Sequence, residues 1–216
     1  MDFSGVTKCG ERVMGLVRNG AASTMVTARP ELLWPVPALW TLEEAATVPL
    51  AYAQAFYYLC IKNQLQRGWK VLIHGATGAL GQAAISIALA HGCTIFATVS
   101  DSAKKRFLLK LFPELNEDAI GNSRDGSFGD MVLNATNGEG CKIIISCVRD
   151  EIKNISLKCA SFSGVTIDTV QIRNREKFEY GMYNMTKQRS YIAADFYSVL
   201  DSGRTAIFKE LQMLVS

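Results

Sequence analysis

The sequence has only two histidines, His74 and His91, among 216 residues. A zinc site needs Cys, His and carboxylate ligands at set spacings, and none is apparent. Six cysteines (Cys9, Cys60, Cys93, Cys141, Cys147 and Cys159) are scattered without a C-x-x-C pair. The start, "MDFSGVTKCGERVMG", lacks the apolar core and small-residue cleavage site of a secretion signal. Reduced thiols and a cytoplasmic location are therefore expected. The longest mainly apolar stretch, "AAISIALA" (83–90), is too short to span a bilayer. There is also little net charge. The formal value is +3, and basic residues fall in short groups such as "KKR" and "RNREK". Neither a nucleic-acid partner nor a membrane is indicated.

What remains is ordinary for a soluble globular protein, with 49% hydrophobic and 20% charged residues. "RVMGLV" (12–17) and "STMVTAR" (23–29) read as short strands, and the prolines of "PELLWPVPALW" exclude regular structure. In "TLEEAATVPLAYAQAFYYLCIKN" (41–63), Thr41 and Glu44 form a capping box, and Pro49 divides a short helix from a longer one. From residue 69 the pattern alternates. "KVLIHG", "CTIFATV", "CKIIISCV" and "FSGVTIDTV" read as strands. Between them, "GQAAISIALAHG", "SAKKRFLLKLF", "GSFGDMVLNATNG" and "DEIKNISLKCAS" read as helices. "RSYIAADFYSVL" reads as a further strand and "TAIFKELQMLVS" as a final helix. Such alternation predicts a doubly wound α/β parallel sheet covered on both faces, a Rossmann-like fold.

"HGATGALGQ" (74–82) joins the first of these strands to its helix. Gly75, Gly78 and Gly81 are spaced G-x-x-G-x-x-G, and Ala76 and Ala79 keep the turn slim. A helix start offers unpaired N–H groups and the positive end of its dipole, which favour phosphate. Thr77 adds a hydroxyl. The next strand end selects the cofactor: an acid there holds the ribose of NAD, and a base holds the phosphate of NADP. Asp101 lies at that strand end, with Lys104, Lys105 and Arg106 after it and Arg124 in a later loop.

Several stretches in one order, "ERVMGLV", "LWPVPALWTLEEAATVPLAYAQAFYYL", "KVLIHGATGALGQAAISIALAHGC" and "NSRDGSF", resemble the enoyl reductase domain of animal fatty acid synthases. That domain is a medium-chain dehydrogenase/reductase, also found in modular polyketide synthases. The resemblance implies NADPH-dependent reduction of a trans-2-enoyl thioester on an acyl carrier domain within a homodimeric multienzyme, without metal. It implies a cofactor-binding set of Gly75, Thr77, Gly78, Ala79, Leu80, Gly81, Ser100, Lys104 and Arg124. Val48 and Tyr52 would lie near the nicotinamide. The domain plan it implies is the end of an incomplete GroES-like substrate subdomain over 1–40, connecting helices over 41–68 and the nucleotide-binding domain over 69–216. Both ends read as cut from a larger chain.

The sequence departs from that family where the proton is delivered. Carried over without gaps from Gly164, the family's lysine falls on Gln171. Its aspartate falls on Tyr197, with Asp195 two residues earlier and on the same strand face. Lys142, Ser146 and Cys147 replace further family residues in "GCKIIISCV". Gln171 can donate a hydrogen bond but cannot give up a proton at neutral pH. Losing the ammonium also removes a charge where negative charge develops, which costs on the order of 10²–10³ in rate. Two readings follow: an enoyl reductase, or a pseudo-reductase that keeps the fold and cofactor as a structural part. A free-standing NADPH:quinone-type reductase is a third, opposed by the cut ends.

Overall fold

The computed structural model describes residues 1–170, 186–201 and Glu210. In chain order the first elements are β1 (Asp2–Val6), β2 (Arg12–Leu16), β3 (Leu33–Pro35), α1 (Leu42–Ala45) and α2 (Pro49–Phe56). Next come β4 (Lys70–Ile73), α3 (Ala79–Ala90), β5 (Thr94–Val99), α4 (Ser102–Leu111) and β6 (Ile120–Asn122). Then follow α5 (Ser127–Ala135), β7 (Cys141–Ser146), α6 (Asp150–Lys158), β8 (Ala160–Asp168), β9 (Ser190–Ala193) and α7 (Phe196–Asp201). They form two units: Met1–Gln64 with the segment that begins at Phe196, and Leu65–Asp195.

In the first unit, β1, β2 and β3 make an antiparallel sheet in that order. Met14, Leu16, Leu32 and Trp34 are its buried apolar residues. Thr41 caps α1: its side chain accepts from the Glu44 N–H, and the Glu44 carboxylate accepts from the Thr41 N–H, so two orphan donors are satisfied. Pro49 opens α2 at a position where its missing N–H costs nothing. The helix runs on into one π turn, Tyr57–Ile61. Within the same unit the Tyr57 ring packs on Phe196 of α7 at 5.8 Å, and Arg18 pairs with Asp201 at 2.6 Å.

The second unit is a six-stranded parallel sheet, ordered β6-β5-β4-β7-β8-β9. Consecutive residues are buried along its central strands, Val71, Leu72 and Ile73 on β4 and Ile143, Ile144 and Ile145 on β7. Alternate side chains point to opposite faces, so both faces must be covered. On one face Leu72, Phe96 and Ile144 pack with Phe128 and Val132 of α5.

Several expectations give way here. No strand forms over 23–29, where Met25 is 80% exposed and no buried face fixes a register. The proline-rich stretch is not irregular throughout. Pro30 starts a 3₁₀ turn, and Leu33–Pro35 pairs with β2 at the sheet edge, where a proline is tolerated. The stretch 189–200 is not one strand. It stops at Ala193, and Phe196 and Leu200, buried four residues apart, follow helical spacing in α7. Asp195 and Tyr197 therefore do not share a strand face. The segment from Phe196 groups with the N-terminal unit, not with the nucleotide-binding unit that the sequence reading extended to 216. Gln171 and, apart from Glu210, the helix expected over 205–216 lie outside the described residues. No described helix is long and apolar enough to cross a membrane.

Candidate functional site

Within Leu65–Asp195, β4 is flanked by β5 on one side and β7 on the other. The chain order reverses between β4 and β7, and in open parallel sheets ligands bind outside the carboxyl ends of the strands at such a point. The glycine turn sits there. The His74 N–H donates to the Ile145 carbonyl at 3.0 Å and the Ala76 N–H to the Thr98 carbonyl at 3.2 Å, fastening the turn to β7 and β5. Gly75 has φ +60, and a Cβ on it would lie 2.8 Å from the Cys147 sulfur. A Cβ on Gly81 would lie 2.5 Å from the Gly75 carbonyl oxygen and 2.7 Å from the Ala76 Cα. Only glycine lets strand, turn and helix come this close.

Gly78 is the N-cap of α3 and offers no side-chain cap. The first-turn N–H groups of Ala79, Leu80 and Gly81 thus have no intrahelical acceptor. Gly75, Gly78 and Ala79 are exposed, Thr77 and Leu80 half-buried. The Gln82 side chain donates to the Thr77 carbonyl at 2.7 Å, which holds the turn's shape. At the end of β7, Ser146 Oγ is buried and has no hydrogen-bond partner among the described residues. A backbone cradle open to solvent, beside an orphaned hydroxyl, fits a nicotinamide dinucleotide.

At the end of β5 the charges are already paired with one another. Asp101 caps α4 by accepting from the Lys104 N–H at 2.9 Å, and it accepts from the Ser100 hydroxyl at 2.9 Å. The Lys104 ammonium donates to Ser100 Oγ at 2.7 Å and lies 3.7 Å from the Asp101 carboxylate. The Lys104 amide first, then the Ser100 hydroxyl, hold the Asp101 carboxyl below its ordinary range, with the Lys104 and Arg124 charges adding to this. A cleft of about 270 Å³ opens beside them, lined by Val99, Ser100, Asp101, Lys105, Gly121 and Asn122. Of the expected residues Ser100 lines this cleft, the Lys104 ammonium bonds Ser100, and the Arg124 charge acts on Asp101. Asp101 is a helix cap, a role that reading did not assign.

Other positions fall elsewhere. Lys142 lies near the start of β7, remote from the carboxyl edge, with its ammonium 5.6 Å from the centre of the Trp69 ring. Burial, then the Asp168 carboxylate, push the Cys147 thiol up from its ordinary value although the residue as a whole is exposed, so it is not an activated nucleophile. In the first unit, Val48 and Tyr52 line a mainly apolar cavity of about 270 Å³ with Met14, Trp34, Trp40 and Pro49. Sequence reasoning missed one cluster, Lys153 with Asp168 and Tyr191. Its signal is Lys153 itself, which shares the buried face of α6 with Ser156 and Leu157 at i, i+3 and i+4.

A family profile described as zinc-binding dehydrogenase matches residues 79–211. The chain belongs to the zinc-binding dehydrogenase family. It is an enoyl-reductase-like domain of the medium-chain dehydrogenase/reductase superfamily. It is 30% identical to lovastatin diketide synthase mokB of Monascus pilosus over 94% of this chain and 8% of that one. It is 33% identical to a mycocerosic acid synthase-like polyketide synthase of Mycolicibacterium smegmatis over 88% of this chain and 9% of that one. This chain therefore spans less than a tenth of these curated relatives. The sequence reading pointed to the fatty acid synthase branch, whereas these relatives are polyketide synthases. Among solved structures, CurK enoyl reductase superposes with TM-score 0.82 at 30% identity, over 94% of this chain and 59% of that one. The nucleotide-binding subdomain of the PpsC enoylreductase domain from Mycobacterium tuberculosis superposes with TM-score 0.68 at 28% identity, over 76% of this chain and 90% of that one.

The family's description implies zinc, and the described residues of this enoyl-reductase-like chain do not fit it. Among the described residues no three His, Cys, Asp or Glu side chains gather as ligands. Both ring nitrogens of His74 are engaged by the hydroxyls of Thr98 and Ser156, each at 2.9 Å, and His91 Nδ1 bonds the Ile87 carbonyl.

Proposed function

We propose that this chain is the enoyl reductase segment of a polyketide synthase- or fatty acid synthase-like multienzyme, using NADPH to reduce trans-2-enoyl thioesters carried on an acyl carrier domain. The observation that carries it is the glycine turn at the reversal of strand order, with Gly75 and Gly81 too crowded to bear a side chain. When bound, the nicotinamide supplies hydride to the β-carbon of the enoyl thioester. The N–H groups of Ala79, Leu80 and Gly81 hold the pyrophosphate, and Thr77 supports them. Lys104 and Arg124 hold the adenosine phosphate and offset the Asp101 charge beside it. Val48 and Tyr52 belong to the nicotinamide side. The carrier, the other domains of the multienzyme and a homodimeric full protein are its partners.

A pseudo-reductase is favoured by one specific feature. At the family's proton-delivering positions stand Gln171, which cannot supply a proton at neutral pH, and Tyr197, which lies on a helix. A fluorescence titration with NADPH and NADH, paired with NADPH oxidation on a crotonyl thioester, separates the readings. Binding and turnover support the enzyme. Binding without turnover leaves the pseudo-reductase, and the absence of binding removes both.

A further inference from the structure

Apart from the cofactor turn, the second unit carries a buried ionic cluster under α6. The Lys153 and Asp168 side chains are 3% and 4% exposed, and Lys153 is the buried lysine of the described core. Charges are kept this far from water only when paired and fully hydrogen-bonded. Asp168 meets that condition through both carboxylate oxygens. Its Oδ2 accepts from the Lys153 ammonium and from the Tyr191 hydroxyl. Its Oδ1 accepts from the Val170 N–H at 3.0 Å, and its backbone carbonyl accepts from the Ala194 N–H at 2.7 Å. Parallel register sets Thr166 beside Tyr191 and Asp168 beside Ala193, so Asp168 and Tyr191 project from one face of the sheet.

These bonds have a direction. A salt bridge serving only to hold α6 on the sheet needs Lys153 and one carboxylate oxygen. Here the same carboxylate also holds the Val170 amide, two residues beyond the end of β8, and the backbone carbonyl of the same residue carries the ladder on to the Ala194 amide, the first beyond β9. The neighbouring exit is tied in as well, since the Thr169 N–H and hydroxyl both donate to the Ser146 carbonyl, at 2.8 and 3.0 Å. Residue 171 follows Val170 directly, and Asp195 follows Ala194. These are the positions, or neighbours of the positions, on which the family's proton-delivering pair falls.

We propose that Lys153, Asp168 and Tyr191 form a positioning unit that holds the exits of β8 and β9 for the proton-delivering side of the site. Lys153 neutralises the buried carboxylate, Tyr191 orients it, and Asp168 fixes the Val170 amide through that carboxylate and the Ala194 amide through its backbone carbonyl. None of the three need touch substrate. The inference rests on the reductase reading for its catalytic consequence, but its structural content can be read separately.

Amide hydrogen exchange and steady-state kinetics on the full chain test it with Tyr191→Phe, which deletes one hydroxyl, and Asp168→Asn as a stronger variant. In Tyr191→Phe, exchange at Val170 and Ala194 is expected to quicken by about tenfold, the size of one lost hydrogen bond to a charged group. Ile143 and Ile144 should keep the parent rate. The kcat for a crotonyl thioester should fall by about the same factor, with NADPH affinity within roughly twofold of the parent. Parent-like exchange at both amides overturns the proposal. So does an acceleration spread evenly through the sheet, which marks a merely structural bond, or faster local exchange with an unchanged kcat. Should Asp168→Asn fail to fold, Tyr191→Phe alone decides. Should the parent itself turn over no enoyl thioester, it is the reductase reading that fails, and the exchange result still decides whether the unit holds the two strand exits.

Discussion

At the scale of single residues, His74 shows how context overrides type. A histidine before a phosphate turn invites a catalytic reading, yet its ring is buried, edge-on to Phe128 at 4.9 Å, and bonded to Thr98 and Ser156. Burial lowers its pKa to about 4, so it stays neutral through the physiological range. The unfolded chain titrates near 6.5 and binds the proton more readily than the folded one. Stability from this group is therefore complete above about 6.5 and is lost as pH falls towards 4, by roughly 3 kcal/mol in all. Urea unfolding from pH 7 down to pH 4 should show that slope in the parent and a flatter one in His74→Asn. An identical slope in both would assign the acid loss to other groups. Gly81 offers a second residue-scale test. In Gly81→Ala the new methyl meets backbone atoms that cannot rotate aside. Overpacking of this kind costs about 1–3 kcal/mol of stability, read by chemical denaturation, and because the atoms displaced belong to the turn itself, cofactor affinity should fall with it in a fluorescence titration.

At the scale of elements, the strength of the local signal decided what could be read. The capping box at Thr41, the break at Pro49 and the strand–turn–helix around 70–90 are all set by near neighbours, and all form as expected. β3 and α7 were misread because their states depend on partners. Pro35 is acceptable only because β3 lies at a sheet edge, and Phe196 turns helical where its ring can pack on Tyr57. Asp101 sits between these cases. As the N-cap of α4 it stabilises the helix, and as a carboxylate it opposes a phosphate at the same strand end. Asp101→Ala should lower the midpoint of chemical denaturation, because the α4 cap is lost. It should also shift the balance between the two cofactors towards NADPH over NADH, because an opposing charge is gone. Lost stability without any change in preference would make the residue a cap and nothing more. Breaking the buried pair of α6 and β8 is a harsher change. Lys153→Met leaves Asp168 without its cation and should cost on the order of 3–5 kcal/mol in the same measurement.

For the whole molecule, a ligand that binds only the folded state must raise its melting temperature. Saturation with NADPH at about a hundredfold over its Kd should add roughly 2.7 kcal/mol, seen as a concentration-dependent shift in calorimetry. A melt indifferent to both NADPH and NADH would contradict the reading of the turn. At this scale, the alternation of strands and helices was enough to predict a parallel sheet, because buried continuous apolar strands need cover on both faces. The strand order was not legible in it. The same alternation is compatible with several orders, and the one that forms, β6-β5-β4-β7-β8-β9, places the glycine turn at the point of reversal.

The sequence by itself determined what neighbours along the chain can settle: the elements around the cofactor turn, the small residues that turn demands, and a charge pattern at 101–106. Family likeness added the expected chemistry and pointed to Gln171 and Tyr197 as the positions where a departure is expected. Only the tertiary structure decided which remote residues meet. It brought His74 to Ser156 across 82 positions, Asp168 to Lys153 across 15 and to Tyr191 across 23. Such contacts depend on strand register and on the face a helix turns inward, and both are fixed by burial summed over the whole unit, which no local spacing encodes.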